Sequence, residues 1–233
     1  AGNHMIKEID SINSFLDNAK KPNMAIVGGS KISTKIKLLN NLIEQFSSVV
    51  IGGAMANTFL LANNYNLGKS LVEKNLIQEA NNIQLKAKKL NCELILPIDV
   101  VCGKNIHDTN PVHRKINEVL PEEMVLDIGD ESTQFINNKI INSKMILWNG
   151  PVGAFEFKPY DKATNAIANI IKVNAKTLNI NTLAGGGDTV SAIKNINAED
   201  GFSYISNAGG AFLEWLEGNE SPGVRSLKEN NLT

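Results

Sequence analysis

Residues 182–191, TLAGGGDTVS, decide how the rest of the chain is read. A short apolar run (Ile180, Thr182, Leu183, Ala184) leads into Gly185, Gly186 and Gly187, then Asp188 and Thr189, then the helix-like run 190–193. Without Cβ atoms, consecutive glycines let main-chain N–H groups converge on one point. A helix starting there adds its unpaired first-turn donors and the positive end of its dipole. That combination binds anions, phosphate foremost. A carboxylate beside it repels a bare phosphate but suits a magnesium ion carried on one. Taken alone, the stretch is equally a plain strand-to-helix turn with Asp188 as N-cap.

The same arrangement recurs on both sides. MAIVGG (24–29) precedes a predicted helix over 33–46, with Ile36, Leu39, Leu42, Ile43 and Phe46 at helical spacing. VVIGG (49–53) precedes a helix over 55–63, and a helix over 73–90 leads into a strand ELILPIDVV over 93–101. Residues 103–135 are polar and interrupted by Pro111 and Pro121, which predicts a loop excursion or small hairpin containing MVLDIG. KMILWNG (144–150) and its turn at Pro151, Val152 and Gly153 precede a helix over 160–175. After the glycine turn and a helix to about 194, the strand SYIS (203–206) enters Asn207-Ala208-Gly209-Gly210 and a helix over 211–216.

Strands that alternate with helices and are apolar on both faces indicate an α/β fold. We expect a three-layer, doubly wound, Rossmann-like domain with a mostly parallel sheet of about six strands. Five of the predicted strands end in glycine: at 28–29, 52–53, 150, 185–187 and 209–210. In a parallel sheet those ends share one edge, where such folds bind ligands. Ahead of the first strand, Met5, Ile9, Ile12, Leu16 and Ala19 predict a helix over 5–20, ended by Lys20, Lys21 and Pro22. The expected organisation is a connector-type helix in 1–20, the α/β domain in 21–218 and an extended tail in 219–233.

Composition narrows the partners. The chain has 233 residues, 42% of them hydrophobic, and a net charge of -1 from 23 basic and 24 acidic residues. Bulk charge therefore offers no hold on nucleic acid or an anionic membrane. Cys92 and Cys102 have no metal-ligand spacing, and His4, His107 and His113 form no zinc pattern. With no signal peptide and no apolar run of membrane-spanning length, a soluble cytoplasmic protein is expected; a monomer is expected as well.

Common nucleotide signatures fail. Gly68-Lys69-Ser70 supplies the end of a Walker A motif, but Asn63 stands at its first glycine and a helix precedes it. Val190 occupies the third glycine of a dinucleotide fingerprint begun at Gly185 and Gly187, which opposes a nicotinamide-dependent oxidoreductase. No protein-kinase motif set is present. Lys31 and Lys35 stand one predicted helical turn apart after the first glycine mouth, so both can face one anion; the alternative is a solvated helix start, which the helix dipole disfavours for cations. Glu156, after the WNGPVG turn, can accept hydrogen bonds from ribose hydroxyls, although an isolated glutamate is more often a plain surface residue.

AIVGGSKISTK (25–35), IGGAMANTFL (51–60), LDIG (126–129), WNGPVGAFE (148–156), GGGDT (185–189) and AGGAFLEWLEG (208–218) occur in one order. Together they resemble phosphoglycerate kinase, specifically its C-terminal, nucleotide-binding half. AGNHMIKEI resembles the end of the N-terminal half, which holds 3-phosphoglycerate in that family, and residues 5–20 resemble its interdomain helix. A fragment is therefore expected.

The resemblance implies roles. Lys35 contacts the terminal phosphates and the moving phosphoryl group, with Lys31 nearby. Asp188 binds Mg2+, while Thr189, Gly185 and the backbone of Gly186 and Gly187 hold phosphate oxygens. Glu156 takes the ribose and Asn149 the phosphate chain, beside Pro151. Gly29, Ser30, Gly53, Ala54, Leu71, Leu126 and Gly153 wall the adenine slot. Gly187, Gly209 and Gly210 donate N–H groups to the transferring phosphoryl. ATP or ADP with magnesium is the implied ligand, and 3-phosphoglycerate is reached only through the missing N-terminal domain. A nucleotide-binding module without chemistry is the competing reading. Against the family pattern, Ala208, Ala54 and Val125 stand where glycine is frequent, and Asp130 replaces a usual proline.

Overall fold

The computed structural model describes Phe15 and residues 20–218. Most of the predicted helix over 5–20 and the predicted tail over 219–233 lie outside the described residues. Phe15 itself is helical and buried in the core, although it is not part of the predicted apolar stripe.

Six strands form the main sheet in the order β3-β2-β1-β7-β8-β9. They are β1 (Asn23–Val27), β2 (Ser48–Ile51), β3 (Glu93–Ile95), β7 (Met145–Asn149), β8 (Asn181–Gly185) and β9 (Tyr204–Ser206). Every pairing among them is parallel. The order reverses at β1, the topological switch point of a doubly wound sheet.

Strand side chains alternate between two cores, as a period of two requires. Ala25, Val27, Val49, Ile51 and Leu147 face one cluster, whereas Met24, Ile26, Val50, Ile146 and Trp148 face the other. Helices α1 (Ile36–Gln45), α2 (Ala54–Ala62) and α3 (Ile77–Lys89) cover the first cluster, joined by α7 (Gly210–Leu216). Helices α4 (Asp130–Ile141), α5 (Lys162–Asn174) and α6 (Gly187–Asn195) cover the second. The predicted three-layer α/β architecture is what the chain forms.

Three local predictions are corrected. The strand expected over 93–101 is two strands: β3 joins the main sheet, and after Leu96-Pro97-Ile98 the chain starts β4 (Asp99–Gly103) in a second sheet. Pro97 cannot donate to a ladder, and the break falls there. Of the loop excursion or small hairpin expected over 103–135, the hairpin is nearer, but its extent is corrected: β5 (Val112–Lys115) turns back antiparallel on β4, β6 (Met124–Ile128) pairs antiparallel along the other side of β4, and α4 begins at Asp130. Helix α4 has no local capping side chain; Asp99, across on β4, caps it by accepting from the N–H groups of Glu131 (3.0 Å) and Ser132 (2.8 Å). Finally, the helix expected from Ser33 begins at Ile36, so residues 31–35 form turns, with Lys35 N–H donating to the Ile32 carbonyl at 2.8 Å.

Candidate functional site

The C-terminal ends of β2, β1, β7, β8 and β9 are neighbours on one edge of the sheet. The glycine-rich turns predicted to meet there do so, but their glycines divide into two kinds. A Cβ on Gly28 would run into the Pro151 carbonyl, and one on Gly150 into the Gly28 carbonyl. These glycines, with buried Pro151, let the loops after β1 and β7 lie backbone to backbone. A Cβ on Gly185 would strike the Phe212 ring, so that glycine also serves packing. By contrast, Gly187 and Gly209 have nothing within 4 Å of where a Cβ would stand. They face open space at the start of α6 and α7.

Gly186 caps α6 at φ +97, and a Cβ there would come within 2.9 Å of Asn149 Nδ2. A side chain is excluded both by conformation and by space. First-turn amides of α6 at Gly187, Asp188 and Thr189 have no partner one turn back within the helix. Val190 N–H already donates to the Gly186 carbonyl, at 3.0 Å. Asp188 is exposed beside these donors, not turned into the interior.

Asn149, at the end of β7, is buried and uses both ends of its amide. Its Oδ1 accepts from Lys35 Nζ, and its Nδ2 donates to the Gly185 carbonyl at 2.8 Å. Thr189 is likewise buried, and its hydroxyl accepts from Gly150 N–H at 2.6 Å. Both side chains brace loops of the site. Burial pushes the Lys35 ammonium down to about 8, although the Asp188 and Glu217 carboxylates favour its charge. Lys35 also flanks Gly29, whose Cβ position lies 3.8 Å from Lys35 Cε. Lys31 is exposed in the preceding turns. Since neither lysine lies within a helix, their predicted relation as helical neighbours does not hold.

The residues expected around adenine are linked through the backbone. Met55 N–H donates to the Gly29 carbonyl (2.9 Å), Gly53 N–H to Val152 (2.8 Å) and Ala154 N–H to Leu126 (2.8 Å). Gly29, Gly53, Ala54 and Gly153 are partly exposed along this seam, and Ser30 and Leu71 are exposed. Leu126 differs: it is buried against Val101 and Tyr160, so its side chain packs inward. A Cβ on Gly153 would strike the buried Asp127 carboxyl, whose pKa burial raises well above the carboxylate range.

On the α5–α6 side of the same edge, a groove of about 570 Å³ brings Asp188 and Glu156 together. Lys158, Asp161, Asn165 and Ser191 line it too; the first three lie outside every glycine motif, and Ser191, at the end of the 182–191 stretch, carries no signal of its own. Gly210 opens α7 beside Gly209. Among the described residues no three His, Cys, Asp or Glu side chains cluster to hold a metal. An exposed carboxylate at a helix N-terminus fits a magnesium ion that arrives on phosphate oxygens and keeps most of its waters. No helix among the described residues is long and apolar enough to cross a membrane.

Comparison with known proteins follows the same lines. Residues 1–219 match the family model described as phosphoglycerate kinase. The chain is 43% identical over 229 residues to a phosphoglycerate kinase of Rhodospirillum centenum, covering 97% of this chain and 58% of that protein. It is 44% identical over 228 residues to one of Caulobacter vibrioides, with the same coverage of 97% and 58%. Among solved structures, the phosphoglycerate kinase of Coxiella burnetii superposes with a TM-score of 0.91 at 36% identity, covering 97% of this chain and 57% of the other. The chain thus spans a little under three fifths of the length of these relatives.

Proposed function

This chain belongs to the phosphoglycerate kinase family, and from that premise we propose that it is the nucleotide-binding half of a cytoplasmic glycolytic kinase. The reaction moves a phosphoryl group between 1,3-bisphosphoglycerate and ADP, or from ATP to 3-phosphoglycerate in reverse. The observation that carries this reading is the joining of Lys35, Asn149 and the Gly185 turn in one hydrogen-bonded line at the edge where α6 begins.

Phosphoryl transfer of this kind is mostly positioning and charge neutralisation, because charge in the loose transition state spreads over equatorial oxygens. The Lys35 ammonium, held by Asn149, supplies a fixed positive charge at the terminal phosphate. First-turn amides of α6 supply oriented donors that need no reorganisation during transfer. Glu156, in the groove it shares with Asp188, accepts from the ribose. Magnesium, when bound through Asp188, neutralises charge on the phosphates. A carboxylate acceptor needs no proton removed, so no general base is called for at this edge.

Alone, the chain holds Mg-nucleotide without turnover, since the acceptor and the closing motion belong to the other half. Calorimetric titration with Mg-ADP should give saturable binding that added 3-phosphoglycerate leaves unchanged. Sustained conversion of ATP and 3-phosphoglycerate by the chain alone, or no binding of Mg-ADP, would contradict the reading.

A further inference from the structure

The segment 70–73, between α2 and α3 in the chain, is bonded to α2 and to the second sheet and reaches the loop that carries both lysines. It is fixed to the domain at three points along its length. Ser70 Oγ accepts from Val125 N–H at 2.8 Å, the Leu71 carbonyl accepts from Asn57 Nδ2 at 3.2 Å, and Glu73 N–H donates to Thr58 Oγ1 at 3.1 Å. At the far end the Glu73 carboxylate takes hold of Ser33: Oε2 accepts from Ser33 N–H at 3.1 Å and Oε1 from Ser33 Oγ at 2.5 Å. Burial opposes the charge on Glu73, but the bonds from Ser33 and Ile32 and the nearby Lys31 ammonium outweigh it, so its pKa lies below the usual value.

Ser33 stands midway between Lys31 and Lys35, in turns closed by Lys35 N–H to the Ile32 carbonyl and by Thr34 Oγ1 to the Lys31 carbonyl at 3.0 Å. Those bonds shape the loop internally; buried Ile32 and the Lys35–Asn149 bond tie it to the sheet, and Glu73 is its tie on the side of Leu71. The Ser33–Glu73 pair is exposed and buries little apolar surface. Its geometric consequence is to register the lysine loop against Leu71 and α2.

We propose that Glu73 is a positioning residue that clasps the lysine loop to the segment bearing Leu71, so that the cations stand at a fixed distance from the site of the base. This rests on the nucleotide reading above. The clasp acts on the phosphate end of a nucleotide and not on the base.

Calorimetry with Mg-ADP and an NMR titration with adenosine, on this chain and its variants, separate those ends. Glu73→Ala should weaken Mg-ADP binding by roughly tenfold, the scale of losing charge-assisted hydrogen bonds, while adenosine binding stays within about twofold. Glu73→Gln keeps one acceptor for Ser33 and should recover part of the loss. Ser33→Ala combined with Glu73→Ala should cost no more than Glu73→Ala alone, because both remove the same contact. Equal weakening of both ligands would reduce Glu73 to a wall of the base site, and no weakening of either would remove its role; each overturns the proposal. If the unsubstituted chain fails to bind Mg-ADP, the nucleotide reading falls and this inference with it, whereas normal binding with an indifferent Glu73→Ala overturns the clasp alone.

Discussion

Asn149 stands between Lys35 and Gly185, accepting from the ammonium of one and donating to the carbonyl of the other. One buried amide therefore sets the spacing between the principal cation of the site and the turn that opens α6. Replacing Asn149 by Ala strands a buried carbonyl and frees the lysine. We expect a loss of about 1–3 kcal/mol in unfolding free energy, the cost of an unsatisfied buried group, measured by denaturant titration. Mg-ADP binding by the same variant should weaken even under conditions where it is fully folded.

Lys35 gives a pH signature. Its pKa falls from 10.5 to about 8 on folding, through burial. Between those values the unfolded chain binds more protons than the folded one, so stability rises with pH across that window. Lys35→Met removes the effect. The native chain should gain on the variant as pH is raised from about 8 to 10.5, by at most about 3 kcal/mol. Paired denaturation curves at pH 7.5 and pH 10 check the sign.

The two kinds of glycine at the edge should respond differently to a methyl group. Gly186→Ala meets Asn149 and a positive φ, so its unfolding midpoint should fall sharply. Gly187→Ala meets nothing and lies in a helix, where alanine is favoured by up to about 1 kcal/mol. Its stability should hold or rise while Mg-ADP affinity drops, because the methyl occupies the approach to the α6 amides. Circular dichroism melts and calorimetry on the two variants make the comparison.

Asp188 is the one carboxylate expected to meet magnesium. Asp188→Asn should weaken Mg-ADP binding, yet leave or improve binding of ADP in excess chelator, since a charge that repels bare phosphate is gone. Titrations with and without magnesium give the two affinities.

Much of this was legible in the chain. The apolar runs ending in glycine announced parallel strands, and parallel strands force their ends onto one edge. What was hidden had non-local causes. Helix α4 lacked a start signal because its cap, Asp99, comes from another strand. The second sheet was obscured because β5 is mostly exposed and β4 follows β3 across a proline. At the site, motif position identified Asn149 and Thr189 but not their burial, which turns them toward the loops they brace. Glu73 lies in no glycine motif, and only folding brings it to Ser33.

The central claim is that Mg-nucleotide seats on the shared C-terminal edge of the parallel sheet. Backbone amide shifts of the isotope-labelled chain on addition of Mg-ADP test it most directly. Changes should concentrate at residues 29–35, 53–54, 153–156, 186–189 and 209–210. Changes confined to the opposite edge of the sheet, or to the second sheet alone, would contradict it.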